Sequence, residues 1–198
     1  MNLANKLTIF RIILVPIMVI IPFLGIKGEI LAIPVSYIIM DIIFIIASIT
    51  DKLDGHIARS RNQVTTFGKF LDPLADKILV LSAMVMFVEM GKIPAWIPII
   101  VLAREFLVSG YRLIAVEKGG KVIAASIWGK LKTVTQMFAI ILIFVDKFNF
   151  FDFVNAINMN QGEIVFNAVT SILLLVSVIA TIFSGYEYLK DGKDLLKD

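Results

Sequence analysis

Cysteine is absent from the 198 residues and histidine occurs once, as His56. Disulfides and thiolate ligands are thereby excluded, so any metal must be held by carboxylates, by that histidine or by backbone oxygen. Charge is scarce as well. Only 18% of the residues are Asp, Glu, Lys or Arg and 59% are hydrophobic, whereas a soluble domain is roughly one quarter charged and half apolar. No internal repeat, low-complexity segment or long linker interrupts the chain, which predicts a single membrane domain over residues 1–198. A cleavable signal peptide is not expected. The first apolar stretch, Leu7 to Leu24, is long and continues to Gly25 without a small-residue cleavage site, so it reads as a retained helix.

What the chain does have is six apolar runs: Leu7 to Leu24, Leu31 to Ile57, Phe67 to Val88, Pro94 to Val116, Ile127 to Val145 and Ile164 to Tyr188. Such runs match the roughly 20 residues that a helix needs to cross about 30 Å of hydrocarbon. The expected fold is an all-α integral membrane bundle of six transmembrane helices. Basic residues gather in the second connection (Arg59, Arg61, Lys69), the fourth (Lys118, Lys121, Lys130) and the tail (Lys190, Lys193, Lys197). The other connections carry one each, Lys27, Lys92 and Lys147, with an acidic neighbour. Because basic loops favour the cytoplasm, both termini are expected there, in a multi-pass protein of the cell membrane. The net charge of +3 suits anionic membrane lipids better than nucleic acid, and no nucleic-acid partner is expected. Trp96, Trp128, Tyr186 and Tyr188 fall near run ends, where amphipathic aromatics anchor helices at headgroup level.

The chemistry concentrates where the second run meets the third. Asp51 and Asp54 are three residues apart, and Asp72 and Asp76 four apart, so each pair shares one face of its helix. Four aspartates in membrane helices need a reason, since a charge at the bilayer centre costs about 2.5 to 3.5 kcal/mol even on lenient scales. Convergent carboxylates repel, and a hard divalent cation makes such a group tolerable; Mg²⁺ or Mn²⁺ fits an all-oxygen donor set. Gly55 and Ala58 form a small-residue patch beside the first pair, and Gly68 precedes the second, as expected where backbone approaches a ligand or another helix. Pro73 is expected to bend the third helix between its carboxylates. A competing reading makes the aspartates an ion-pair staple with Arg59, Lys69 and Lys77, but a staple needs neither two glycines nor four carboxylates. His56 points off the Asp51–Asp54 face and reads as a bystander.

Written out, D-x-x-D-G-x-x-A-R, eight residues, then G-x-x-x-D-x-x-x-D runs from Asp51 to Asp76, and it resembles the signature of the CDP-alcohol phosphotransferase family at every specified position. The resemblance implies six transmembrane helices, often in a homodimer, two divalent ions held by Asp51, Asp54, Asp72 and Asp76, and a CDP-linked donor. It also implies Asp76 as general base, and CDP contacts at Asn5, Thr8, Asp51, Gly55, Ala58, Arg59 and Gly68.

Other polar residues bear on the acceptor. Arg104 and Arg112 are eight apart, two helical turns on one face, and Lys130 and Lys132 begin the fifth run. Basic residues turned inward beside a carboxylate site suit an acceptor that is itself anionic, such as a glycerol phosphate. The segments A-R-E-F-x-V-S-G-x-R and A-S-x-W-G-K-x-K-T-x-x-Q, with the opening N-K-L-T-x-x-R that includes Arg11, resemble the phosphatidylglycerophosphate synthase branch. That branch implies CDP-diacylglycerol as donor and sn-glycerol 3-phosphate as acceptor, with Arg112, Lys130 and Lys132 on the acceptor phosphate and the active site facing the cytoplasm. Alternatives are another acceptor (serine, inositol phosphate or a lipid) or, in a different class, a cation transporter, since intramembrane carboxylates also mark ion paths. Transporters place such groups near the midplane and carry internal repeats; none is visible here.

Overall fold

The computed structural model describes residues 3–60, 66–117, 126–156 and 158–191, excluding the side chains of residues 3–5, 52–60, 66–70, 72–73, 116–117 and 191. Six helices account for the six apolar runs: α1 (Leu3–Ile20), α2 (Val35–Ser60), α3 (Thr66–Glu89), α4 (Trp96–Glu117), α5 (Ile127–Val145) and α6 (Gln161–Asp191). Among the described residues the fold is helical apart from one two-stranded hairpin, β1 (Glu29–Ile30) and β2 (Ile33–Pro34). This hairpin occupies the first residues of the second run, so the helix expected from Leu31 begins instead at Val35. Its turn residues, Leu31 and Ala32, have φ of 54° and 61°, the left-handed pair that a two-residue turn demands to match strand twist. Helix α3 is continuous through Pro73.

Two compact units are present, Met1–Met90 with Ile141–Lys147, and Gly91–Ile140 with Phe148–Asp198. In the first, α1 packs on α2 and α3, and α2 also touches α3. Its core centres on Phe144, whose ring lies 6.2 Å from Phe44 and 4.5 Å from Phe87, within the range of favourable tilted and edge-to-face contacts. In the second, α4 packs on α6. A reciprocal capping box starts α6: Glu163 N–H donates to Asn160 Oδ1 at 2.9 Å, and Asn160 N–H donates to Glu163 Oε2 at 3.0 Å, satisfying two donors that a helix start leaves over. Polar side chains of α6 then hold the preceding loop, with Phe153 N–H donating to Asn167 Oδ1 and Phe151 N–H to Ser171 Oγ.

The distribution of polarity is inverted relative to a soluble protein. Along α6, Asn167, Thr170, Ser171, Ser177, Thr181 and Ser184 are buried, while Val165, Val169, Ile172, Ile179 and Ile182 are exposed. Both sets recur at helical spacing, so one face is small and polar and the opposite face is aliphatic. Ser177 and Thr181 donate back to Leu174 O and Ser177 O at 2.7 and 2.6 Å, so neither of these hydroxyls is left unpaired on the packed face. An aliphatic exterior over small buried residues is what a lipid solvent selects. Among the described residues three helices are long and apolar enough to cross a membrane, Lys6–Leu24, Ile127–Val145 and Gln161–Lys190. Helix α4 misses that description because Arg104, Glu105 and Arg112 interrupt its apolar run.

Candidate functional site

Of the four aspartates, the described side chains are those of Asp51 and Asp76. Asp51 sits on α2 and Asp76 on α3, two helices in direct contact. Asp76 is exposed. Asp51 accepts a hydrogen bond from Arg11, Nη1 to Oδ1 at 2.6 Å; the Arg11 side chain is fully buried, whereas that of Asp51 is 37% exposed. A guanidinium taken wholly out of water requires a partner of opposite charge, and Asp51 provides one. Thr8, one turn earlier on α1, is buried as well, which places this polar stripe of α1 on its packed face. Asn5, Asp54, Gly55, Ala58, Arg59, Gly68 and Asp72 lie on the helical backbone of α1, α2 or α3, but their side-chain placement lies outside the described residues.

No group of three or more His, Asp or Glu side chains that could hold a metal occurs among the described residues; Asp54 and Asp72 are not among them. The donor chemistry fits a hard divalent ion all the same. The chain offers carboxylate oxygens on two touching helices and no cysteine thiolate, and Asp51 remains open enough to reach a cation beside its Arg11 contact. Mg²⁺ and Mn²⁺ take such oxygen sets.

The basic residues on α4 and α5 form a second polar group, within the second unit. Glu105 accepts from Arg104 Nη1 at 2.8 Å and from Lys132 Nζ at 2.5 Å, and all three side chains are largely buried. Arg104 also donates through Nη2 to Ser184 Oγ at 2.6 Å. Two glycines line it: a Cβ on Gly185 would lie 3.4 Å from Arg104 Cγ, and one on Gly129 3.6 Å from its Nη2, both ordinary contact distances. Lys132 is therefore anchored on Glu105, while Lys130 is exposed. Arg112 is exposed too, yet its Nη2 donates to Tyr188 Oη at 2.8 Å.

Tyr188 corrects the expectation of a headgroup anchor. Trp96 and Tyr186 are exposed as such anchors should be, but Tyr188 is 2% exposed, with its ring centroid 5.8 Å from the Arg104 Cζ and 5.7 Å from that of Arg112. Two guanidinium groups near one ring explain its burial. Sequence reasoning also assigned no partner to Arg11 and no role to Glu105. The first contact joins residues 40 apart, and the contact of Glu105 with Lys132 joins residues 27 apart, separations that carry no periodic signal.

A family model described as CDP-alcohol phosphatidyltransferase matches residues 1–183. Among curated proteins, one from Bacillus subtilis named CDP-diacylglycerol--glycerol-3-phosphate 3-phosphatidyltransferase is 41% identical, with 99% of this chain and 97% of that protein covered. A Haemophilus influenzae protein of the same name is 39% identical, with 100% and 96% covered. A Mycobacterium tuberculosis protein named probable phosphatidylglycerophosphate synthase is 41% identical over 70% of this chain and 64% of its own length.

Proposed function

We propose, from the premise that this chain belongs to the CDP-alcohol phosphatidyltransferase family, that it transfers the phosphatidyl group of CDP-diacylglycerol to sn-glycerol 3-phosphate, releasing CMP. The observation that carries the acceptor is the near full-length similarity to relatives bearing that substrate in their names. An exposed arginine on α4, Arg112, agrees with it.

In this reading the aspartates of α2 and α3 supply the carboxylates. Asp51, Asp54, Asp72 and Asp76 would hold two divalent ions, Mg²⁺ or Mn²⁺, which when bound neutralise pyrophosphate charge and polarise the phosphorus. The buried Arg11 fixes the Asp51 carboxylate. Asn5, Thr8, Gly55, Ala58, Arg59 and Gly68 contact the CDP moiety. Asp76, exposed on α3, takes the proton from the primary hydroxyl of the acceptor. That oxygen attacks the phosphorus carrying diacylglycerol; the new P–O bond forms as the P–O bond to CMP breaks, and CMP leaves with the electron pair. Arg112 and Lys130 bind the acceptor phosphate, with Lys132 behind them on Glu105. A guanidinium suits this task because its donors match phosphate oxygens in pairs.

We further read residues 1–198 as one membrane domain with six spans and both termini in the cytoplasm, working as a homodimer in the cell membrane with its active site on the cytoplasmic face. The distribution of Lys and Arg supports that orientation. A protease-protection experiment on sealed vesicles tests it: both tails should be cleaved from the cytoplasmic side alone. The reaction itself is tested by incubating purified protein and a divalent cation with CDP-diacylglycerol and a panel of acceptors. Lipid product and CMP should appear with glycerol 3-phosphate, and production from serine or inositol phosphate instead would reassign the acceptor.

A further inference from the structure

We infer that Tyr188 is a positioning residue for the acceptor: its hydroxyl and ring orient the Arg112 guanidinium toward the phosphate of the incoming alcohol. This rests on the reading that Arg112 binds that phosphate.

Three cations share this group in the second unit, and they are held differently. Arg104 and Lys132 share the Glu105 carboxylate, so one of their two charges is offset within the protein. Arg112 has no carboxylate partner among the described residues; its hydrogen-bond partner there is a neutral phenol, Tyr188 Oη at 2.8 Å. A neutral acceptor restrains a guanidinium without cancelling its charge, and one bond to Oη occupies only one of five N–H donors. The ring adds to this restraint, with its centroid 5.7 Å from Arg112 Cζ, close enough for attraction to its face. Tyr188 is itself 2% exposed and α6 packs on α4, so the tether is packed in place while Arg112 as a residue stays exposed. An exposed arginine without such a tether would lose rotamer freedom on meeting an anion. Tyr188 removes part of that loss beforehand.

The test is a double-mutant cycle of Tyr188→Phe and Arg112→Ala, read as initial CMP release with saturating CDP-diacylglycerol and varied glycerol 3-phosphate. Phenylalanine keeps the ring that fills the packed position, and each variant is first matched to the wild type by thermal melting in detergent. Tyr188→Phe should raise KM for glycerol 3-phosphate about 3- to 10-fold, the scale of one hydrogen bond, with kcat and the KM for CDP-diacylglycerol unchanged. On the Arg112→Ala background the same change should have no effect on acceptor KM. An unchanged acceptor KM for Tyr188→Phe, when Arg112→Ala does raise it, overturns the role of Tyr188 and leaves Arg112 in place. A Tyr188→Phe effect of equal size in both backgrounds also overturns it, since the residue would then act by packing alone. Normal acceptor KM in Arg112→Ala contradicts the underlying reading of the site, and the inference falls with it.

Discussion

Arg11 Nη1 meets Asp51 Oδ1 at 2.6 Å, a fully buried guanidinium against a carboxylate that is 37% exposed. The contact joins α1 to α2 and ties the first aspartate of the motif to the fold. Removing a partner from a buried charge costs stability, and Asp51 is a carboxylate that partners Arg11. Asp51→Asn should therefore destabilise the protein by about 1.5 to 3 kcal/mol, the range of hydrogen bonds to charged groups, less than for a fully buried pair because water reaches Asp51. Arg11→Lys, which keeps the charge, should lose less than Arg11→Ala. Thermal melting of the purified variants in detergent checks the ranking, and equal melting points for Arg11→Lys and Arg11→Ala would refute the pairing.

Glu105 accepts from Arg104 and Lys132 at once. Glu105→Gln leaves both largely buried cations without their counter-charge, which should cost about 3 kcal/mol, as when a buried pair loses one member. The expected readout is a clearly lower melting temperature, larger than that produced by Lys130→Ala at its exposed position. If Glu105→Gln melts with the wild type, the ion pairs have no structural role.

Helix-interior glycines separate into two kinds. A Cβ on Gly110 would meet nothing within 4 Å, whereas one on Gly129 would reach Ser184 Oγ at 3.5 Å and Arg104 Nη2 at 3.6 Å. Gly110→Ala should stabilise α4 by about 0.5 to 1 kcal/mol through helix propensity alone. Gly129→Leu should destabilise, because the added atoms displace Arg104 from Ser184. Opposite shifts in melting temperature are expected; shifts of the same sign would show that Gly129 is not a point of close approach.

Arg112→Ala and Lys130→Ala should chiefly weaken acceptor use. A charge-assisted hydrogen bond to phosphate contributes about 1.5 to 3 kcal/mol, so kcat/KM for glycerol 3-phosphate should fall roughly 10- to 150-fold. Donor binding measured without acceptor should change little. Loss of donor binding instead would move these residues to the CDP side of the reaction.

The helical framework was legible because length and apolar content alone specify helices of this kind. The fifth run, Ile127 to Val145, coincides with α5, and the sixth falls inside α6. Leu31 and Ala32 were read as helix because neither residue type announces a left-handed turn. The carboxylate motif was legible from its spacing along two helices. Its tie to Arg11 was not, nor was the anchoring of Lys132 on Glu105, since each depends on which helix faces become neighbours. Tyr188 illustrates the same limit: its position near a run end matched a membrane anchor, yet the packing of α6 on α4 buries it against Arg104 and Arg112.

Asp76→Asn probes whether the aspartates of α2 and α3 direct a metal-dependent phosphatidyl transfer. The measurement is CMP release from CDP-diacylglycerol in the presence of glycerol 3-phosphate and Mg²⁺ or Mn²⁺, by wild type and variant purified side by side. The wild type should release CMP, stop when the cation is chelated and resume when it is restored. Asp76→Asn should melt as the wild type does and retain well under about a tenth of the activity, since a general base typically contributes about 10²- to 10⁴-fold. A well-folded Asp76→Asn protein that keeps more than that, or a wild type indifferent to chelation, would contradict the account.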